Sequence, residues 1–80
     1  MARRNIVLKS VDSPDKSRCV DLFLRPDGRF GFEEYRRDFE DNRGWYPIGF
    51  FGDRAFHSEE GALQDALSRI PWLKGALTND

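Results

Sequence analysis

Hydrophobic and polar residues alternate along the first two thirds of this chain and then change period. Asn5 to Val11 is a short β-favouring run, followed by the turn-forming DSPDKS from Asp12 to Ser17. From Cys19 to Arg25, Val20, Leu22 and Leu24 alternate with Asp21, Phe23 and Arg25, which predicts a half-buried strand. RPDGR follows, with proline to preset the first turn dihedral and glycine to accept the left-handed one. A three-residue loop closed by Arg25 and Arg29 sets Leu24 opposite Phe30, Leu22 opposite Phe32 and Phe23 over Gly31. The same register sets Asp21 opposite Glu33. A bulge near Glu33-Glu34 would relieve that like-charge pair and bring Tyr35 into phase with Phe30 and Phe32.

The strand beginning at Arg29 is expected to run to about Asp38 and to turn through Glu40 to Gly44. From Trp45 to Phe51 the alternation resumes, with Tyr46, Ile48 and Phe50 on one side and Trp45, Pro47 and Phe51 on the other. Pro47 cannot donate to a ladder, which places this strand at a sheet edge. The period then becomes helical: Ser58 is a good N-cap, Glu59 and Glu60 suit the first turn, and Ala62, Leu63, Ala66, Leu67 and Ile70 form one stripe. Pro71 is expected to end or kink that helix, and Trp72, Leu73 and Leu77 to fold back over the sheet.

These elements predict an α+β fold: an antiparallel meander of three or four strands covered on one face by a C-terminal helix. Eighty residues suit one small domain, spanning 1–80 with an ordered core of about 5–74. The net charge of −1 supplies no global pull toward nucleic acid or membrane, but it is unevenly spread. Residues 1–18 carry +3, residues 19–57 carry −2 and residues 58–80 carry −2. The apolar run after MARR stops at Lys9, too short for a secretory or membrane-spanning segment, so a cytoplasmic protein is expected.

The chemistry of known enzymes is not encoded in any spacing here. His57 is the only histidine and adjoins Ser58, but neighbours on an extended chain point apart, and capping explains Ser58 better. Cys19 is alone, so it forms no intrachain disulfide and has no second thiol or histidine pair to hold zinc with. Asp38, Glu40 and Asn42 precede Gly44 as in a calcium loop, but the glycine is one place late and Gly49 stands where the bidentate glutamate belongs. Gly49-Phe50-Phe51-Gly52 has the glycine spacing of a nucleic-acid clamp with two bulky residues where small or basic ones are needed. A non-catalytic domain without cofactor or metal is the expectation.

The aromatics and arginines are what the fold does not absorb. Five of the eleven aromatics fall between Gly44 and Phe56. With Tyr46, Ile48 and Phe50 assigned to the core, Trp45, Phe51 and Phe23 are left for the open sheet face beside Arg25, Arg29 and Arg37. Either these six form a docking face for another protein or a second copy of this chain, or the segment after Phe51 or the Trp72 tail covers the aromatics. The segment Phe56-x-Ser58-x-Glu60-x-Ala62 also resembles the strand-to-capped-helix junction of two DNA-binding families. These are the plant ethylene-response factors and the arm-binding domains of tyrosine integrases. That resemblance implies a three-stranded sheet pressed into the major groove. The chain departs from it in having Arg54 where those families have glycine, and in an acidic strand region. Nucleic acid is therefore the second-choice partner.

Overall fold

The computed structural model describes residues 4–38, 40, 44–51 and 53–78, without the side chain of residue 78. Four strands form one antiparallel sheet in sequence order: β1 (Ile6–Asp12), β2 (Arg18–Leu24), β3 (Phe30–Arg37) and β4 (Trp45–Pro47). Two helices follow, α1 (Glu59–Arg69) and α2 (Leu73–Thr78). The molecule is only 19 Å thick, the depth of one sheet and one helical layer. The α+β meander with a C-terminal helix is the architecture read from the pattern. Of the expected turn at 40–44, positions 41–43 lie outside the described residues, as does Gly52 of the GFFG segment.

The β2–β3 hairpin is built by its tip. Arg25 N–H donates to Arg29 O at 2.7 Å, Gly28 N–H donates to Arg25 O at 3.0 Å, and Gly28 sits at φ 86°. That conformation costs glycine little and other residues much. With the tip fixed, Leu24 pairs with Phe30, Phe23 with Gly31 and Leu22 with Phe32, the expected register. Phe23 lies so close over Gly31 that a Cβ there would come within 2.7 Å of its ring.

The expected bulge at Glu33-Glu34 is absent. Asp21 and Glu33 pair directly, and the register shift lies instead in β1, between Val7 and Lys9. The like charges are separated by turning their carboxylates apart. Asp21 Oδ1 accepts from Ser10 Oγ at 2.6 Å on the β1 side. Glu33 Oε1 accepts from Glu34 N–H at 2.9 Å and from Phe51 N–H at 3.3 Å, toward β4. Tyr35 consequently keeps the open-face phase, opposite Cys19.

Ser58 caps α1, its Oγ accepting from Gly61 N–H at 3.0 Å, and Glu59 and Glu60 occupy the first turn. Ile70 closes the helix as C-cap, before Pro71. Val20, Leu22, Phe32, Ala62, Ala66, Ile70 and Leu73 make the core, so the helical stripe and the β2 alternation meet as expected. The tail becomes the short helix α2, which packs against β1 on the same side of the sheet. Trp72 anchors it, its indole Nε1–H donating to Glu34 Oε2 at 2.8 Å.

The reading of the last strand is corrected. Regular pairing ends at Pro47, and Ile48 N–H makes one more bond to Glu34 O at 2.9 Å. Phe50 then adopts φ 55°, which turns the chain and breaks the period of two. Phe51 swings under the sheet edge and packs on Phe32 with ring centroids 5.0 Å apart, while Phe50 is 77% exposed. Tyr46 shares the helix-side phase with Arg36 but lies exposed. Phe51 and Phe56 fill the core positions expected of Tyr46 and Phe50.

Candidate functional site

Both helices cover one face of the sheet, and the opposite face divides into two unlike halves. At the hairpin end it is closed. Phe23 is only 5% exposed, with Gly31 beneath it and the Arg25 guanidinium 5.6 Å from its ring centroid. Arg25 also donates from Nη2 to Arg54 O at 2.9 Å. The chain reaches that point because Phe56 and Phe30 exchange backbone hydrogen bonds at 2.8 and 2.9 Å, so the segment through Arg54 runs along the start of β3. Of the two alternatives read from the sequence, cover is the one that holds for Phe23: the chain after Phe51 reaches this end of the face.

At the other end the face is open and concave. A groove of about 460 Å³ is lined by Ser10 and Asp12 from β1, Cys19 and Asp21 from β2, Tyr35 and Arg37 from β3, and Trp45 from β4. All four strands contribute because alternation puts each of these positions on the same side. Trp45 pairs across the strands with Arg37 and is 41% exposed. The Arg37 guanidinium stands 4.8 Å from the Trp45 ring centroid and donates from Nη2 to Lys16 O at 3.2 Å. The arginine is thereby held along the rim, over an aromatic ring.

The groove floor is polar and acidic. Ser10 Oγ and Cys19 Sγ both donate to Asp21 Oδ1, at 2.6 and 3.4 Å. Asp12 Oδ2 lies 3.8 Å from Lys16 Nζ. Burial, then the nearby Asp21 charge, pushes the Cys19 thiol up to about 12, so it stays a thiol rather than a nucleophilic thiolate. Burial, with Asp21, Glu33 and Cys19 behind it, also raises Tyr35. Among the described residues, no group of three or more His, Cys, Asp or Glu could hold a metal ion, and no helix is long and apolar enough to cross a membrane.

Of the six face residues expected from the sequence, only Trp45 and Arg37 meet at the groove, while Phe23 and Arg25 pair at the closed hairpin end. Arg29 is exposed at the hairpin tip and Arg25 covers Phe23 beside it, about seven strand residues, on the order of 20 Å, from Arg37. Phe51 belongs to the core. Five groove residues were not singled out as a site by sequence reasoning: Ser10, Asp12, Cys19, Asp21 and Tyr35. The signal that finds them is the shared phase of Ser10, Asp21, Tyr35 and Trp45, which becomes readable once Glu33-Glu34 is taken as unbulged. Comparison of the chain with protein-family models, with curated proteins and with solved structures found no match.

Proposed function

We propose that this chain is a small non-catalytic domain that binds another protein through the open end of its sheet face. The observation that carries this reading is the Trp45–Arg37 pair at the rim of a concave, uncovered groove. Aromatic and arginine side chains are the types that most often carry binding energy at interfaces, and a preformed hollow lets a partner bury them at little ordering cost. Docking of a second copy is the same reading with a self-complementary partner.

A photo-crosslinking residue placed at Ser10, on the groove, and separately at Ser68, on the exposed side of α1, tests it. A discrete adduct from position 10 that is missing from position 68 and lost with Trp45→Ala supports protein docking. An adduct of twice the chain mass identifies a second copy. Equal labelling from both positions, or none, removes the proposal.

DNA binding through this face is the weaker reading. Asp12 and Asp21 line the groove and would oppose phosphates, while Arg25 and Arg29 sit at the far end. Salt-sensitive amide shifts around Arg37 on adding a short duplex would reverse that ranking.

A further inference from the structure

We propose that the groove receives a cationic side chain, an arginine or lysine of the partner, between the Asp12 and Asp21 carboxylates and the Tyr35 and Trp45 rings. This rests on the protein-docking reading above and names the chemistry of the partner. Three independent features of the groove converge on it. Its shape is that of a shallow, open hollow with a volume of about 460 Å³, room for one long side chain. Its walls are aromatic, and one of those rings already has a guanidinium 4.8 Å from its centroid, that of Arg37. Its lining carries two carboxylates against one cation, and that cation is turned along the rim to Lys16 O.

The carboxylates suit this role in different ways. The Ser10 and Cys19 donors both end on Oδ1 of Asp21, which fixes the carboxylate plane and leaves Oδ2 with no bond among the described residues. Asp12 is half exposed, and its contact to Lys16 is long at 3.8 Å, so a better-placed cation can displace it. Glu33 lies on the same face but is buried, its Oε1 occupied by the Glu34 and Phe51 amides, so it adds negative potential without offering that oxygen. Burial is the main cause of the upward shifts of Tyr35 and Cys19, and the Asp21 charge that adds to both marks a negative potential at the groove floor.

The test is a ¹H–¹⁵N titration of the full chain with acetyl-Gly-Arg-Gly-amide at millimolar concentration and low salt, beside acetyl-Gly-Glu-Gly-amide. The expected result is saturable shifts at Cys19, Asp21 and Tyr35 and at the Trp45 indole N–H with the arginine peptide alone. Binding should weaken about tenfold in Asp12→Asn/Asp21→Asn and also fall with added salt. Asn keeps the shape of each carboxylate, and retained amide dispersion confirms that the variant folds. Trp45→Ala, at an exposed position, serves as the second variant and should weaken binding while leaving the fold intact. No groove shifts with the arginine peptide, or equal binding by the doubly substituted chain, overturns the proposal. A Ser10 crosslink that depends on Trp45 but survives Asp12→Asn/Asp21→Asn overturns the cation assignment while protein docking stands. Loss of the crosslink at Trp45→Ala together with arginine-peptide shifts unaffected by that variant overturns the aromatic wall.

Discussion

The indole N–H of Trp72 donates to Oε2 of Glu34 at 2.8 Å, joining the start of the last helix to the middle of the third strand across 38 residues of chain. Glu34 is 8% exposed, and Arg18 Nη1 stands 3.5 Å from the same oxygen. A carboxylate this buried is tolerated because its negative charge has two donors, and it pins the tail over the core. Glu34→Ala should therefore destabilise the domain by about 1–3 kcal/mol, since it strands the indole N–H. Urea unfolding measures this. In a double-mutant cycle with Trp72→Phe, a coupling below a few tenths of a kcal/mol would show that the bond contributes nothing beyond packing.

Phe50 combines a left-handed backbone with an exposed ring. A side chain other than glycine or asparagine in that region costs roughly 1–2 kcal/mol, and at 77% exposure the ring recovers little of it by burial. Phe50→Asn is expected to raise the unfolding free energy by about 1 kcal/mol, because asparagine tolerates this conformation. A fall in the denaturation midpoint would mean that the ring packs on a surface in solution, pointing to self-association.

Gly31 is required by Phe23 rather than by its own backbone angles. An added Cβ would lie 2.7 Å from the Phe23 ring and 3.2 Å from Arg54 O, so it must push both away. Gly31→Ala should cost about 1–3 kcal/mol by overpacking. Amide shifts should concentrate at Phe23, Arg25 and Arg54. A neutral substitution would show that the cover over Phe23 is loose.

Asp15 organises the β1–β2 turn. Its Oδ1 accepts from Ser17 N–H at 3.0 Å, Ser17 Oγ at 2.7 Å and Ser13 Oγ at 2.8 Å. These bonds, led by the Ser17 amide, lower its pKa to about 2 from the ordinary 3.8. The folded value is depressed, so its contribution to stability is complete above the unfolded pKa and is lost as pH falls through about 2. A carboxyl titration followed by NMR should give Asp15 a midpoint near 2. A midpoint at the ordinary value would mean that the turn is not held by this carboxylate.

Cys19 is the converse case. Its thiol is raised to about 12, so stability from the neutral form is present below the unfolded pKa of about 9 and is lost as pH rises toward 12. At pH 8 the folded chain should react with iodoacetamide far more slowly than the urea-unfolded chain. Equal rates would place the thiol outside the Asp21 environment.

Much of the fold was readable along the chain because its determinants are local. Pro26 and Gly28 set the hairpin tip, and with it the pairing of Leu22, Phe23 and Leu24 follows residue by residue. Ser58 and Pro71 likewise bound α1, because capping and the proline restriction act within a few residues. The helical stripe and the Val20–Leu22 alternation named most of the core, since each period admits one apolar face.

The site was less readable because its determinants are not local. Alternation extends through a strand only while the backbone stays extended, and the left-handed turn at Phe50 exchanged the roles of Phe50 and Phe51. Nothing in the sequence distance between Asp21 and Glu33 says that one carboxylate turns to Ser10 and the other to the Phe51 amide. That choice removed the need for a bulge and kept Tyr35 on the groove side. The sequence by itself determined the strand order, the hairpin register and the bounds of α1, through turn chemistry, capping and period. Only the tertiary structure decided that the return of the chain through Arg54 closes one half of the open face over Phe23 and leaves the other half hollow beside Trp45. The reason is physical: burial depends on which distant segment arrives over a side chain, and residue type alone does not encode that.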